Sequence, residues 1–322
     1  MRLLVTGIAG FIGSHLTERL LARGHEIVGL DNFDAFYERA PKEANLASVR
    51  AKAKAGPLRF VEGDILDTAA VESVLGGPRY DAVVHLAALA GVSPSLAQPA
   101  RYMRVNVEGT MNLVEAMVRH DVRHMVFASS SSVYGANTKV PFDEEDRIDD
   151  PVSPYAASKR AGELALKAVV HTTGISVAAL RFFTVYGPRQ RPDMAIHKFT
   201  RAIDHGQLVR LRGDGATSRD YTYIDDIIDG TAAAVERVAQ SPVGFRPYNL
   251  GGCQGTRLDE LVARIGAALG KEPRVELVPE LRGDVQHTLA RVARAESELG
   301  YAPKIGLDEG LRRFVAWYRE QA

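Results

Sequence analysis

The sequence predicts a doubly wound α/β domain with a second, smaller α/β domain interleaved toward its C-terminal end. Three observations carry this. Short β-branched runs alternate with amphipathic helical stretches through the first half of the 322 residues. Three glycines punctuate the turn from the first strand to the first helix. After Gly187 the alternation loosens into Pro-, Gly- and Arg-rich loops.

In chain order, Leu3–Thr6 reads as the first strand, because an apolar run meets Thr6 and Gly7 at once. Ser14–Arg23 has helical spacing and ends at Gly24, whose missing β-carbon suits a helix C-terminus. Glu26–Leu30, Leu58–Glu62 and Ala82–Leu86 are the next strands. In Asn106–His120 the apolar residues Val107, Met111, Val114 and Met117 recur at helical intervals. Met125–Ala128 is the next strand, Pro154–Thr172 a long helix and Val177–Phe182 a sixth strand. An Ile196–His205 helix follows, then a return toward the sheet at Asp220–Ile224. The expected division is residues 1–183 plus about 219–250 for the first domain and about 184–218 plus 251–322 for the second.

Composition narrows the class. Apolar residues make up 46% and charged residues 25%, as in ordinary globular proteins. Forty Lys and Arg balance forty Asp and Glu, so no global field draws the chain to nucleic acid or an anionic membrane. No apolar run approaches the roughly 18 residues a membrane span needs, and no signal peptide is visible at Met1, so a cytoplasmic location is expected. One cysteine, Cys253, excludes a disulfide framework and a Cys-rich zinc site; it reads as a buried filler. No metal is expected. The acidic Asp143–Asp146 and the Ala51–Ala55 stretch read as solvated surface.

The chemistry-bearing residues cluster at strand ends. Gly7, Gly10 and Gly13 allow a tight turn and let backbone amides approach a pyrophosphate at a helix N-terminus. Asp31, ending the second strand, can accept hydrogen bonds from an adenosine ribose and repels a 2′-phosphate, which favours NAD over NADP. Gly63-Asp64-Ile65 and His85-Leu86-Ala87-Ala88 end two further strands, the latter small enough for a nucleotide to lie against; His85 itself reads as a satisfied core histidine. Ser129 to Ser132 follow the fifth strand. Tyr155 and Lys159, four residues apart, share a helix face, so the ammonium favours the phenolate and Tyr155 becomes a general base, with a neighbouring serine bridging phenol and sugar.

With Thr6 to Ser14, His85 to Ala88, Ser130 before Val133-Tyr134-Gly135, Tyr155 to Lys159, Arg181-Phe182-Phe183 and Ser218 to Tyr221, the sequence resembles the extended short-chain dehydrogenase/reductases. Among their NAD-dependent nucleotide-sugar enzymes it is most similar to the UDP-glucuronate 4-epimerases, through Ser129 to Gly135 and the run from Arg181 to Pro188 into Arg191-Pro192-Asp193-Met194-Ala195. The resemblance implies a Rossmann-type NAD domain and a UDP-sugar domain. It implies Ser130, Tyr155 and Lys159 as the catalytic trio. For NAD it implies Gly7, Gly10, Phe11, Ile12, Gly13, Asp31, Asn32, Asp64, Ile65, Leu86, Ala87, Ala88 and Asn106, the last as support, besides Tyr155 and Lys159. For the sugar carboxylate it implies Ser131, Ser132, Thr184 and Arg191, and for the UDP side Arg219, Arg282 and Asp284. Two positions depart from the pattern: Ser93 stands where relatives commonly have Arg, and Arg282 is one place closer than usual to Gly283.

The implied reaction oxidises C4 of the sugar to a ketone, rotates it and returns the hydride to the other face. Dehydratases and decarboxylases of this kind need acidic side chains where this chain has Ser131 and Ser132. A neutral UDP-sugar 4-epimerase, a UDP-glucuronate decarboxylase and a non-catalytic NAD-binding scaffold are the alternatives, the last expected to lack Tyr155 or Lys159. Relatives of this type often form homodimers through the helices matching Asn106–His120 and Pro154–Thr172.

Overall fold

The computed structural model describes residues 1–53, 57–240, 242, 244–279 and 285–321. Twelve strands are present among them: β1 (Arg2–Thr6), β2 (Glu26–Asp31), β3 (Leu58–Glu62), β4 (Ala82–His85), β5 (His124–Ser130), β6 (Ser176–Phe182), β7 (Thr184–Tyr186), β8 (Leu208–Arg212), β9 (Ser218–Tyr223), β10 (Phe245–Leu250), β11 (Gly255–Arg257) and β12 (Arg274–Val278). The helices are α1 (Phe11–Ala22), α2 (Arg39–Lys52), α3 (Thr68–Leu75), α4 (Val92–Ala97), α5 (Pro99–Met103), α6 (Gly109–Arg119), α7 (Pro154–Thr173), α8 (Ala195–Asp204), α9 (Ile224–Gln240), α10 (Leu258–Leu269), α11 (Ala293–Leu299) and α12 (Leu307–Gln321).

Seven strands form one parallel sheet in the order β10-β6-β5-β4-β1-β2-β3. Strands run alternately into two cores. Leu3, Val5, Val84, Val126 and Leu180 face the side covered by α1 and α9, whereas Leu4, Val83, Met125, Phe127 and Val177 face the side covered by α3, α6 and α7. Burial on both faces explains why these strands read as continuous apolar runs. The strand order reverses beside β1, with β2 on one side and β4 on the other, and such a switch point leaves a crevice at the carboxyl ends of the strands.

The second part differs from expectation in one respect. Ser218–Tyr223 does not return to the large sheet: β9 pairs with β7 and β11 in a three-stranded sheet, and β8 pairs with β12. The return is made by α9, packed on β5 and β6, and by β10, which joins the edge beside β6. Its sequence, with Arg246 and Pro247, suits an edge strand, where an absent N–H costs nothing.

Two further readings are corrected. Cys253 is exposed, with φ +59°, because the Asp220 carboxylate gathers the N–H groups of Gly252 and Cys253 and holds that turn; its thiol fills no core. Within the acidic run, Glu144 is buried and accepts from the Asn249 N–H at 2.8 Å, and Asp146 accepts from the Asp143 N–H. That run is therefore a folded turn against β10, not a solvated face. Ala51 and Lys52, the last residues of α2, are exposed as expected, and Lys54 and Ala55 lie outside the described residues.

Candidate active site

One cavity of about 670 Å³ opens over the carboxyl ends of β1, β2, β4 and β5 and under the loop that follows β7. At its floor, Gly7 has φ +73°, and a β-carbon there would lie 2.8 Å from the Ala87 nitrogen; at Gly13 it would lie 2.0 Å from the Gly7 oxygen. Only glycine permits this approach. No side chain caps α1 at Gly10, so the amides of its first turn face the cavity with the positive end of the helix dipole behind them. Asp31 is held by the Ala9 and Phe33 N–H groups, each at 2.9 Å, and burial raises its pKa above the usual carboxylate range. Asn32 donates to Asp64 at 2.9 Å, which steadies both at the rim. These residues fit a dinucleotide: uncapped helix amides for the pyrophosphate and a fixed carboxylate for a ribose.

His85 is indeed a satisfied core histidine. The Ala87 N–H donates to Thr6 Oγ1, and Thr110 donates to the Asn106 carbonyl. The imidazole therefore accepts at Nδ1 from Thr6 (2.8 Å) and donates from Nε2 to Thr110 (3.0 Å), and burial drops its pKa to about 3.

Helix α7 carries the acid–base pair. Ser153 caps it by accepting from the Ala156 N–H, Pro154 opens its first turn and Gly174 closes it with φ +71°. This capping places Tyr155 in the first turn and Lys159 one turn further on, both on the cavity wall with Ser130 at the end of β5. Ser130 stands beside the Tyr155 phenol and favours its ionised form, and the Tyr102 ring meets the phenol edge-on at 6.2 Å. The electrostatics differ from the expectation set by spacing. Lys159 Nζ donates to the Ala128 carbonyl at 2.8 Å, and burial lowers its pKa to about 7 against the pull of Glu163. The phenol's pKa is raised by burial, and the groups that offset this are Ser130 and the charge of Arg191, not Lys159.

Behind this wall lies a buried polar chain. Glu163 accepts from Ser129 at 2.6 Å and from Arg181 at 3.0 and 2.9 Å; Arg181 also reaches the Tyr134 hydroxyl, which donates to Asn249.

The sugar end is lined by Ser131, Ser132, Thr184, Arg191 and Arg219. Ser132 Oγ is buried with no hydrogen-bond partner, an acceptor and donor left for a ligand. Arg191 lies over the Phe36 ring at 5.0 Å and is forked by Asp193, with Nε to Oδ1 and Nη2 to Oδ2 both 2.9 Å. Burial alone would weaken its charge, but the Asp193 pairing outweighs it and raises its pKa. Arg219 donates to the carbonyls of Ser218 and Gln286.

Of the residues expected at the site, Gly7, Gly10, Phe11, Ile12, Gly13, Asp31, Asn32, Asp64, Ile65, Leu86, Ala87, Ala88, Ser130, Ser131, Ser132, Tyr155, Lys159, Thr184, Arg191 and Arg219 line this cavity. Asn106 is not on its wall. It sits in a π-helical turn, Arg104–Glu108, and clamps Leu89 through both backbone groups and Ser158 through its hydroxyl. Arg282 and Asp284 lie outside the described residues. Lys42, Tyr37, Asp193 and Lys198 line the cavity without having been singled out; Asp193 stands two residues from Arg191, a spacing that carries no signal until the loop is folded.

Residues 3–251 match the model of the NAD dependent epimerase/dehydratase family. UDP-glucuronate 4-epimerase 5 of Arabidopsis thaliana is 39% identical over 332 residues, covering 99% of this chain and 75% of that protein. The crystal structure of UDP-glucuronic acid 4-epimerase from Bacillus cereus in complex with UDP-glucuronic acid and NAD superposes with a TM-score of 0.93 at 32% identity, over 100% of both chains. UDP-glucose 4-epimerase from Thermotoga maritima, with UDP-glucose, gives 0.88 at 32% identity over 100% of this chain and 99% of that one. With a family model matching residues 3–251 and a relative 39% identical over 99% of its length, the chain belongs to the NAD dependent epimerase/dehydratase family.

Proposed function

We propose that the protein is an NAD-dependent UDP-glucuronate 4-epimerase that interconverts UDP-glucuronate and UDP-galacturonate. The observation that carries this reading is the meeting, in one cavity, of Ser130, Tyr155 and Lys159 with an arginine and three hydroxyls, Ser131, Ser132 and Thr184, and no acid at the two serines. The likeness to the acid-sugar epimerases supports it.

Tyr155 takes the proton from the sugar O4 through the position Ser130 bridges, with Ser130 and the charge of Arg191 favouring the phenolate this requires and Lys159 standing one turn along the same wall. The α1 amides and Asp31 would hold NAD, which would supply the acceptor for the C4 hydride and its donor to the opposite face. The 4-ketone turns over between these events, and Tyr155 gives its proton back. Arg219, with Arg282 and Asp284, would hold the UDP side. Residues 1–183 with about 224–250 would form the NAD half and about 184–223 with 251–322 the sugar half, a boundary moved past β9 because that strand pairs with β7 and β11.

The ketone of UDP-glucuronate is a β-keto acid, which loses carbon dioxide when its carboxylate bond aligns with the carbonyl π system. Ser131, Ser132, Thr184 and Arg191 would hold the carboxylate out of that alignment, with charge-assisted hydrogen bonds.

No described helix is long and apolar enough to cross a membrane, and a cytoplasmic enzyme is our reading of the lone Cys253. A homodimer is supported by Met103 and Leu164, which stay 39% and 51% exposed on the packed helices α5 and α7; sedimentation gives its mass.

The test compares UDP-glucuronate, UDP-glucose and UDP-xylose with carbon dioxide trapping. Epimerised UDP-galacturonate should dominate, and Arg191→Ala should weaken transition-state binding roughly 10- to 150-fold, the worth of a charged hydrogen bond, and raise the UDP-pentose share. Faster turnover of a neutral sugar, untouched by Arg191→Ala, makes the enzyme a neutral-sugar epimerase instead.

A further inference from the structure

Arg191 is the one cation the proposed carboxylate site relies on, and its surroundings already use most of it. A guanidinium has five N–H donors, two edges and two faces. Asp193 takes the side edge, Nε and Nη2, at 2.9 Å each. Phe36 covers a face at 5.0 Å. The loop at Gly91 closes in from another direction, since a β-carbon there would stand 3.7 Å from Nη2. What remains is the end edge, formed by Nη1 and the second hydrogen of Nη2, the edge that matches a second carboxylate side by side. Both Arg191 and Asp193 line the cavity, and their side chains are only 17% and 33% exposed.

We propose that Asp193 is a positioning and specificity-determining residue: it locks the guanidinium of Arg191 so that only its end edge meets the sugar carboxylate, and cancels its charge so that an acid sugar is selected by alignment and not by net attraction. This rests on the uronate reading above. An unlocked arginine would follow the carboxylate as the ketone turns, and could not keep the C5–carboxylate bond out of line with the C4 carbonyl. When that bond aligns, it breaks: its electron pair passes to the C4 enolate, carbon dioxide leaves, and C5 takes a proton from water to give a UDP-4-keto-pentose. A fixed fork meets the carboxylate at one angle in the seated ring and does not follow it when the ring turns and C5 carries it round.

The charge has the opposite consequence for binding. Asp193 repels the substrate carboxylate across the guanidinium, so removing its charge strengthens attraction for the acid sugar while loosening alignment. A residue that merely braced the loop would do neither; its loss would raise KM and lower kcat for acid and neutral sugars alike.

The experiment measures kcat, KM and the ratio of decarboxylated to epimerised product for wild type, Asp193→Asn, Asp193→Glu and Arg191→Ala, each as NAD-bound enzyme, on UDP-glucuronate and UDP-glucose. For Asp193→Asn we expect the decarboxylated share to rise at least threefold, KM for UDP-glucuronate to stay level or fall, and any activity on UDP-glucose to stay within twofold of wild type. Asp193→Glu keeps the charge and shifts the fork, so its KM should match wild type while its decarboxylated share still rises. An unchanged share in Asp193→Asn, or losses equal on both sugars, overturns the proposal. If Arg191→Ala alters the share and the sugar preference but Asp193→Asn does not, the uronate reading stands and the role of Asp193 falls; if neither variant alters them, both fall.

Discussion

Glu163→Gln tests the buried chain behind the catalytic wall and its link to Lys159. The side chains of Glu163 and Arg181 are 0% and 3% exposed, and two hydrogen bonds of 3.0 and 2.9 Å join them. Glutamine keeps the volume but offers one acceptor and no charge, so the Arg181 cation stays buried without its counter-charge. Breaking a buried pair in this way costs about 3–5 kcal/mol. Unfolding entropy of about 2.1 cal/mol/K per residue gives roughly 0.7 kcal/mol per kelvin for a chain of this length, so the midpoint should fall by about 4–7 °C. Replacing both partners by apolar residues, Glu163→Leu with Arg181→Met, should recover most of that loss. Glu163 is also the charge that opposes the desolvation of Lys159. Without it the ammonium loses its proton at lower pH, so the alkaline limb of the kcat/KM profile should move to more acid pH. Scanning calorimetry of the NAD-bound protein and a pH–rate profile read the two effects separately. A midpoint within 1 °C of wild type refutes the buried-charge argument, and an unmoved alkaline limb refutes the coupling to Lys159.

Tyr155→Phe should lower kcat by about 100- to 10,000-fold while NAD content after purification and the unfolding midpoint stay close to wild type; a variant keeping half the rate would exclude Tyr155 as the base. His85, whose folded pKa of about 3 lies below its unfolded 6.5, binds fewer protons in the folded state between those values. Its contribution is therefore complete above pH 6.5 and lost as pH falls toward 3, amounting to about 2 kcal/mol at pH 5. Denaturant melts at pH 7 and pH 5 should show a smaller drop in His85→Gln than in wild type, and equal drops would refute it.

What could be read from the sequence was local. The glycine turn, Asp31 after β2 and the four-residue spacing of Tyr155 and Lys159 are short-range patterns, and short-range patterns survive folding unchanged. The rest depended on which distant segments meet. Asn106 looks like any polar residue on a helix until a π-helical turn aims it at Leu89 and Ser158, 17 and 52 residues away. Glu144 belongs to an acidic run, yet an N–H from β10, 105 residues on, draws it inside. Cys253 was misplaced for the same reason, since Asp220 organises its turn from across the small sheet. β10 escaped because Arg246 and Pro247 spoil the apolar run that marks a central strand.

The site's electrostatics carry that point into the chemistry. Proximity on one helix face suggested that Lys159 would ionise Tyr155, but the cavity desolvates both: the phenol is pushed up, the ammonium is brought down to about 7, and its nearest acceptor is the Ala128 carbonyl. Among the described residues, Arg191 is the charge that acts on the phenol, and Arg191 is also the proposed seat of the sugar's carboxylate. Binding an acid sugar therefore offsets the charge that helps Tyr155 ionise, at the moment the base is needed. Asp193, at 2.9 Å, already takes back part of that help before any sugar binds, and an arriving carboxylate adds its own negative potential at the phenol on top of it. The ion pair that would fix the fork thus sets the charge Tyr155 meets before the sugar arrives, and the desolvated phenol must ionise against the sugar's carboxylate with Ser130 and Arg191 as its support.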